Sequence, residues 1–437
     1  MRTKTGPPVK EDRKNNYISS NPKRRTKNLF KLFNEVITCI AFALDLDEHE
    51  NLFHAWRVTI LATRLAEKVN PESYDYTYYA GLLHDIGCIG LKDHLIYYPS
   101  LAKQLSDPLV KDHPYKGAEM VRLIPGLFPS ADLIFQHHER YDGKGYPIGL
   151  KGDAILPGAQ FLRVSDAFDL WLRNQVRSQR RNGESVPPSF IDFYKSFGNG
   201  ASREFSEDIL FSFLDLLRDD HLYHAILRKE NLSLLLQQTA GGLRGIELRP
   251  NVDLVGTALN LFAEIIDAKH TYTQGHSKRV TEYAMALALA LGLPHDEITK
   301  IKWASLLHDV GKVAVPQKIL DKPGPLTQKE WSVVKKHPVL TVEVLNMISA
   351  FPGFAEISGC HQERYDGKGY PNGLKGEEIP LGARILATAD ALDAMTSSRP
   401  YRPTWTFKEA LREILKESGK HFDPKVAKTA NLIFGSN

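Results

Sequence analysis

Along most of the chain, apolar residues recur every three to four positions, which is the spacing of amphipathic helices, and strand-like alternation is scarce. Residues 280–291 follow this spacing, and Gly292 is a stop signal for the helix. Similar patterns over 301–309, 329–348 and 407–415 predict further helices. The pattern therefore predicts a mostly α-helical architecture.

The longest apolar run, nine residues from Val36 to Leu44, is shorter than the ~20 residues that cross a bilayer. It predicts a buried helix segment, so no membrane span is expected. The polar N-terminus lacks the apolar stretch of a signal peptide. Three cysteines, Cys39, Cys88 and Cys360, exclude a disulfide framework and suit a reducing compartment. The expected location is cytoplasmic.

The net charge of +4 is unevenly distributed. Residues 1–28 carry nine Lys or Arg against two acids, which leaves the rest of the chain slightly acidic. A nucleic-acid polymer is therefore not an expected partner of the body. Composition favours a solvated, disordered arm for 1–28, and docking of this arm on an anionic partner is the alternative.

The chain contains an internal duplication. The sequence Leu-Leu-His-Asp at 82–85 recurs 224 residues later at 306–309, and the nine residues 139–147 recur unchanged at 363–371. A period of this length is the size of a domain rather than of a solenoid repeat. We expect a basic arm (1–28), a first copy (29–218), a helical connector (219–250) and a second copy (251–437).

Histidines and aspartates dominate the recurring positions. In the second copy they are His276, His308, Asp309, His337, His361 and Asp390. In the first copy the candidate ligands are His54, His84, Asp85, His113, His137, His138 and Asp166. A lone helical histidine is usually a surface or satisfied core residue, but the same spacing in two diverged copies favours metal binding. Imidazole and carboxylate donors suit Mn, Fe, Ni, Co or Zn, and this many ligands indicates two ions that share a carboxylate.

The order of these motifs resembles the HD-GYP branch of the HD-domain metal-dependent phosphohydrolases. The motifs are His-x-x-Arg-Val, Leu-Leu-His-Asp-Val-Gly-Lys, His-Pro, His-Gln-Glu-Arg-Tyr-Asp-Gly-Lys-Gly-Tyr-Pro and Thr-Ala-Asp. The resemblance covers roughly residues 36–218 and 255–435. The tandem layout is similar to that of bacterial phosphodiesterases that hydrolyse 3′3′-cyclic GMP-AMP (cGAMP), and other relatives act on cyclic di-GMP. The resemblance implies two all-helical domains and a cyclic-dinucleotide substrate cleaved to a linear 5′-phosphorylated dinucleotide.

The resemblance also implies roles for individual residues. Asp309 would bridge two divalent ions in the C-terminal copy, with His276, His308 and Asp390 on one ion and His337 and His361 on the other. Such ions lower the pKa of water from about 16 to about 7, which supplies a nucleophile at neutral pH. Lys312 would contact the scissile phosphate, and Arg364, Arg399 and Arg402 are candidate phosphate or guanine contacts. For Arg399 and Arg402 an ordinary surface role is an equal alternative.

Each copy departs from the family pattern at a different place. Cys88 stands where the second copy has Lys312, and the Arg-Pro-Tyr-Arg segment at 399–402 has no counterpart after Leu170. Gln362 replaces the counterpart of His138. We therefore expect the second copy to be the hydrolase. The first copy would be a degenerate, regulatory domain that retains metal sites and packs on its partner. Cys88 is interpreted as a small packed side chain, with a reactive thiol as the alternative.

Two other functions compete with this interpretation. In one, both copies are receptors that bind a cyclic dinucleotide without cleaving it and signal through partner contacts. In the other, the chain hydrolyses nucleotides or other phosphate esters, although the Gly-Tyr-Pro loops argue against this. Product analysis of the metal-loaded protein separates the three.

Overall fold

The computed structural model describes residues 22–46, 53–88, 107–182, 189–196, 201–246, 253–268, 275–349, 353–397 and 404–435. Within these ranges the regular elements are helices, and β-structure is limited to two isolated bridges. The all-α architecture predicted from the apolar spacing is therefore confirmed. In the part of the chain described, no helix has both the length and the apolar character needed to span a membrane.

The helices fall into two successive groups. In the first half they are α1 (Pro22–Leu46), α2 (His54–Val69), α3 (Tyr74–Leu83), α4 (Pro108–Arg122), α5 (Phe128–Gln136), α6 (Pro157–Asn182), α7 (Phe190–Ser196), α8 (Ala201–Glu204), α9 (Glu207–Leu216), α10 (Asp220–Ile226) and α11 (Lys229–Ala240). In the second half they are α12 (Leu254–Ala268), α13 (His276–Ala290), α14 (His295–Leu307), α15 (Gln317–Leu320), α16 (Gln328–Val334), α17 (His337–Leu345), α18 (Phe354–Gly359), α19 (Leu381–Thr396), α20 (Phe407–Lys416) and α21 (Pro424–Phe434). Short 3₁₀ turns follow α3 at Ile86–Cys88 and α14 at Val310–Ala314.

Most of the predicted helices are found near their expected positions. The pattern over 280–291 belongs to α13, and Gly292 adopts a positive φ of 74° beyond its end. The segment 407–415 lies in α20, whose start is closed by reciprocal hydrogen bonds between Thr406 and Glu409. The segment 329–348 is not one helix, because the structure divides it into α16 and α17. Pro338 lies in the first turn of α17, where its missing N–H costs no helical hydrogen bond.

The duplication is visible in how the helices pack. In the first copy α2 packs on α3 and α6, and in the second copy α13 packs in the same way on α14 and α19. These are the helices that carry or border the repeated histidines and aspartates. The copies diverge where α6 continues to Asn182 while α19 ends at Thr396.

Helix α1 contacts both halves of the molecule. Its apolar run is buried as predicted, with Val36 and Ile37 fully enclosed. It packs on α3 of the first copy and on α12, α17 and the turn Val310–Ala314 of the second. The Cys39 thiol lies 3.4 Å from the carbonyl of Val344. The apolar core is therefore continuous from one copy to the other.

Two predicted segments, the basic arm and the connector, concern the boundaries of the predicted domains. Helix α1 begins at Pro22, so the last seven residues of the predicted arm are helical, and the rest of the arm lies outside the described residues. The predicted connector over 219–250 contains α10 and α11, and its residues 247–250 are likewise not described. The domain boundaries themselves remain predictions.

Candidate metal centres

His276 is placed by the way its helix begins. It is the first residue of α13, after Gly275 with a φ of 72°. The carboxylate of Asp267, on α12, accepts hydrogen bonds from the backbone N–H (3.1 Å) and hydroxyl (2.7 Å) of Ser277. A carboxylate at a helix N-terminus satisfies free N–H groups and interacts well with the helix dipole. The start of the helix, and with it the imidazole, is thereby fixed.

His308 and Asp309 follow the last turn of α14, and Gly311 brings them close to α17. A Cβ atom on Gly311 would lie 2.1 Å from the carbonyl oxygen of His337, so only glycine permits this approach. Thr341 reinforces the contact, since its hydroxyl donates to the carbonyl of His308 (3.1 Å) and accepts from the N–H of Gly311 (3.0 Å). The glycine in the repeated His-Asp-x-Gly motif therefore has a steric cause.

The ring orientation of three histidines in the second copy is set by one repeated hydrogen bond. Each Nδ1 donates to the carbonyl three residues earlier, at 2.8 Å for His308, 2.8 Å for His337 and 2.5 Å for His361. With the Nδ1 proton engaged, each Nε2 is the atom left to act as a ligand. His276 is oriented by a carboxylate instead, because its Nδ1 lies 2.7 Å from Oδ2 of Asp393.

The Nε2 atoms converge on Asp309. One carboxylate oxygen, Oδ2, lies 3.3 Å from Nε2 of His308, and the other, Oδ1, lies 3.5 Å from His337 and 3.7 Å from His361. Oδ1 is buried and has no hydrogen-bond partner. Asp390 completes the group, with Oδ1 at 3.4 Å from Nε2 of His276. We call these six predicted residues the second cluster.

The geometry of the second cluster fits bound cations. Nε2 of His337 and Nε2 of His361 lie 3.3 Å apart although each ring already uses its Nδ1 proton in another hydrogen bond. Two lone pairs at this distance repel unless a cation lies beside them. Ligand atoms of His276, His308 and Asp390 lie within 4.8 Å of one another, as do those of His308, Asp309 and His361. The chain therefore has groups of histidine and aspartate that can hold metal ions.

Burial and neighbouring charges set the protonation of the second cluster. Burial lowers the pKa of His337 to about 4 and that of His361 to about 3, so both rings are neutral at pH 7. Burial also disfavours a charge on His308, but the carboxylate of Asp309 outweighs it and raises the pKa of His308 to about 9. Burial alone would raise the pKa of Asp309, yet the charges of His308 and Lys312 hold it well below its usual range. The ionised carboxylate of Asp309 and the neutral rings of His337 and His361 are in the form that binds metal, whereas His308 must lose a proton before its Nε2 can bind an ion.

Two residues that the sequence reasoning missed support the ligands. Asp393 accepts from His276 and also from the Arg279 guanidinium, whose Nε lies 2.6 Å from Oδ1. The first copy repeats the arrangement with Asp169, which accepts from His54 and from Arg57. The Arg of the His-x-x-Arg motif thus neutralises the aspartate that orients the histidine. The signal was available, because Asp169 and Asp393 recur at the same offset of 224 residues.

The first copy brings its seven predicted positions together in two groups, which we call the first cluster. One group contains Asp85, His113, His137 and His138, and the other contains His54, His84 and Asp166. Nε2 of His113 and Nε2 of His137 are 3.3 Å apart, as in the second copy. Both ring nitrogens of His138 are buried without a hydrogen-bond partner, and so is Oδ1 of Asp85. Buried polar atoms of this kind are costly unless something binds them.

The second cluster lacks the extra imidazole. Gln362 occupies the position of His138, and its side-chain oxygen accepts a hydrogen bond from the hydroxyl of Tyr370 at 3.1 Å. In the first copy Tyr146 instead lies parallel to His138, with ring centroids 4.7 Å apart, and its hydroxyl has no partner. The amide of Gln362 is thus engaged within the protein, whereas the imidazole of His138 is available.

Among the described residues, a lysine lies beside the central carboxylate in the second copy and not in the first. Nζ of Lys312 is 2.5 Å from Oδ2 of Asp309, and its side chain is 27% exposed. The corresponding Cys88 is buried. The ammonium of Lys312, beside the second cluster, is therefore accessible to a substrate. Burial of Cys88 agrees with its interpretation as a packed side chain.

The repeated nine-residue block forms a loop, as predicted. Glu363 fixes it by accepting backbone N–H groups of Asn372, Gly373 and Leu374 at 2.7–3.2 Å. The guanidinium of Arg364 pairs with Asp366 through two hydrogen bonds of 3.1 and 3.0 Å, and the first copy repeats this pair. This pairing gives Arg364 a structural partner within the loop. Arg399 and Arg402 lie outside the described residues, so their predicted contacts stay predictions.

Comparison with known proteins agrees with the geometry. The profile of a family described as HD domain matches residues 19–185 and 260–426. The chain is 40% identical over 335 residues to 3′3′-cGAMP-specific phosphodiesterase 3 of Vibrio cholerae, covering 74% of this chain and 68% of that protein. It is 28% identical over 378 residues to phosphodiesterase 1 of the same organism, covering 85% of each.

The fold also matches a solved structure. The crystal structure of the cyclic GMP-AMP specific phosphodiesterase V-cGAP3 of V. cholerae superposes with a TM-score of 0.64 and 22% identity, over 92% of this chain and 97% of that one. The predicted resemblance and the predicted duplication are confirmed. The chain therefore belongs to the HD-domain family, in two tandem copies, among the cyclic-dinucleotide phosphodiesterases of the HD-GYP type.

Proposed function

We propose that this protein is a metal-dependent phosphodiesterase that opens a cyclic dinucleotide to a linear 5′-phosphorylated dinucleotide. The observation that carries the proposal is the convergence of Nε2 atoms on Asp309, with the partly exposed ammonium of Lys312 in contact with that carboxylate. The favoured substrate is 3′3′-cGAMP, because the relatives that match most of the chain are named for it. Cyclic di-GMP is the next candidate.

In this proposal two divalent transition-metal ions, Mn, Fe, Ni or Zn, bind in the second copy. His276, His308 and Asp390 would hold one ion, His337 and His361 would hold the other, and Asp309 would be a ligand of both. When bound, such ions lower the pKa of water and neutralise charge on the phosphate.

The chain's own residues do the rest of the work. Asp393 and the backbone carbonyls hold each imidazole with its Nε2 directed at the centre, which avoids reorganisation during the reaction. Lys312 donates to a phosphoryl oxygen of the substrate. Its ammonium stabilises the negative charge that develops there, and its contact with Asp309 holds it in place.

The first copy, in this proposal, holds metal but turns over substrate poorly. It retains the imidazoles and carboxylates of the first cluster but has a buried thiol where Lys312 would supply a charge. Its role is to pack on the second copy and tune it. Support comes from α1, which packs on the turn Val310–Ala314 that carries Lys312.

One experiment tests the proposal as a whole. The protein is stripped of metal with a chelator, reloaded separately with Mn²⁺, Fe²⁺, Ni²⁺ or Zn²⁺, and its metal content per chain is measured. Each preparation is then incubated with cGAMP, cyclic di-GMP and cyclic di-AMP, and products are separated by chromatography. Metal-dependent linear product supports the proposal. Tight binding with no product from any loaded form would favour the receptor alternative instead.

A further inference from the structure

Trp331 is exposed beside the second cluster. All five tryptophans lie in the described ranges, and Trp331 is the most exposed of them at 43%, whereas Trp56, Trp171 and Trp303 are buried. It lies in α16, six residues before His337. An indole loses much favourable apolar contact when it faces water. Because it lies near the proposed metal ligands, a substrate bound at the second cluster can cover it.

A chain of ring contacts connects Trp331 to the cluster. The ring of His337 lies 6.4 Å from the ring of Tyr370, and Tyr370 lies 6.2 Å from Trp331 in an edge-to-face arrangement. Tyr370 belongs to the repeated Gly-Tyr-Pro loop. The indole is therefore separated from a proposed metal ligand by a single aromatic side chain, close enough for one ligand molecule to contact both.

Lys335 adds a positive charge to the same face. Its Nζ lies 5.2 Å from the ring centre of Tyr370 and 5.8 Å from that of Trp331. Among the described residues no carboxylate lies within ion-pair distance of Lys335. Its ammonium is therefore available to an anion that approaches over the two rings.

The described part of the first copy lacks this surface. At the same offset of 224 residues Asp107 replaces Trp331, while Lys111 corresponds to Lys335. Tyr146 is 3% exposed and lies flat on His138, so its ring is not presented to solvent. Among the described residues, this pair of aromatic rings, Trp331 and Tyr370, is thus presented to solvent in the copy proposed to be catalytic and not in the other.

We infer that Trp331 is the stacking platform for one purine base of the substrate, with Lys335 contacting a phosphate or the base edge beside it. This inference rests on the proposed function, because it takes the scissile phosphodiester to lie at the second cluster. Aromatic side chains bind bases through their π faces, and a neighbouring lysine adds charge attraction. Stacking would hold the substrate without contributing to bond cleavage.

Steady-state kinetics of cGAMP hydrolysis by the Mn²⁺-loaded protein test the inference. Trp331→Ala is expected to raise KM about 5- to 100-fold, the range of one lost stacking contact, with kcat within about twofold. Trp331→Phe keeps a flat ring and should stay within about threefold of wild type. Leu432→Ala, which truncates another exposed apolar residue at 74% exposure, is the matched control and should change nothing.

Tryptophan fluorescence supplies an independent measurement. Binding of a non-hydrolysable phosphorothioate cGAMP should quench wild-type emission, and Trp331→Phe should abolish most of the quenching while retaining affinity. An unchanged KM in Trp331→Ala, or an equal fall in kcat and metal content, would overturn the inference. If wild type binds the analogue but forms no product from cGAMP, the proposed function fails while the quenching experiment still tests Trp331.

Discussion

In the first copy Tyr146 lies on His138, whose imidazole is buried and unpartnered, whereas in the second copy Tyr370 donates to Gln362 and turns its ring toward Trp331. His84, His113 and His137 of the first copy are oriented by an Nδ1 hydrogen bond to the carbonyl three residues earlier, as are their counterparts in the second copy. The copies therefore share the means of holding metal and differ in the groups that face a substrate.

With the residue roles proposed above, metal binding and substrate binding would be separable in this fold. The first copy has one imidazole more than the second but lacks the equivalents of Lys312 and Trp331. A domain can lose its substrate contacts and keep its ligands, because three of the imidazoles in each copy are oriented by backbone carbonyls and not by the residues that differ. The ligand set alone does not identify the active copy.

The strongest test removes the shared carboxylate from each copy in turn. Asp309→Ala should reduce cGAMP hydrolysis by about a thousandfold or more, since the four imidazoles would lose the charge they surround. Asp85→Ala should only reduce turnover, by less than about tenfold. The measurement is product formation per minute at saturating Mn²⁺. Equal, complete loss in both variants would mean that the first copy is itself a working site.

The next effect concerns the charge that distinguishes the copies. Lys312→Met should lower kcat by about a hundredfold, the usual cost of losing one donor to a charged transition state. The metal content should persist, because Lys312 is not among the ligands. Cys88→Met is the matched control at the equivalent position and should leave kcat unchanged. A Lys312→Met protein with wild-type kcat would remove the main reason for assigning catalysis to the second copy.

The cluster residues could be predicted from the sequence because all but His138 recur in both copies. A repeated motif can be recognised without knowing which residues surround it in the fold. Asp393 recurs as well, but in the sequence it lies only three residues from Asp390, so the repeat does not show that the two have different functions. The structure distinguishes them, because Asp393 accepts hydrogen bonds from His276 and Arg279. Trp331 has no counterpart, so no repeat signal could single it out.

Other features depend on contacts between distant parts of the chain. The apolar spacing predicted the helices, and it also predicted that the run in α1 is buried. It contains no information about what covers that run, since Cys39 within it contacts the carbonyl of Val344, 305 residues away in sequence. The division of 329–348 into two helices has a local cause instead, because Pro338 cannot donate a helical hydrogen bond to the preceding turn and begins a new helix.

A third prediction addresses the aspartates that orient the first histidine of each cluster. Asp393→Asn should weaken metal binding in the second copy by about 10- to 100-fold, because His276 loses its charged acceptor. Asp169→Asn should do the same in the first copy while leaving cGAMP turnover at saturating metal close to wild type. Titration with Mn²⁺ followed by mass spectrometry of bound metal measures both. Loss of turnover in Asp169→Asn at full metal occupancy would contradict the separation of roles.

A smaller effect is expected from exchanging the residues that differ between the clusters. Gln362→His should strengthen metal binding in the second copy by about tenfold, since imidazole is a better ligand for these ions than an amide oxygen. His138→Gln should weaken binding in the first copy by a similar factor. Competition with a chromogenic chelator gives both affinities. If neither exchange alters affinity, these positions do not contact metal and the difference between the clusters lies elsewhere.

The smallest expected effect concerns the contact between the copies. The N–H and hydroxyl of Ser349 donate to the carboxylate of Glu35 at 2.9 and 2.7 Å, and this pair is solvent-exposed. Glu35→Gln should therefore lower the free energy of unfolding by only about 1 kcal/mol. If the first copy tunes the second through α1, the same variant should alter kcat for cGAMP hydrolysis by up to about threefold, which Lys278→Gln, a control that breaks the exposed Lys278–Glu264 pair, should not do. Unaltered kcat despite measurable destabilisation would show that this contact joins the copies without transmitting a signal.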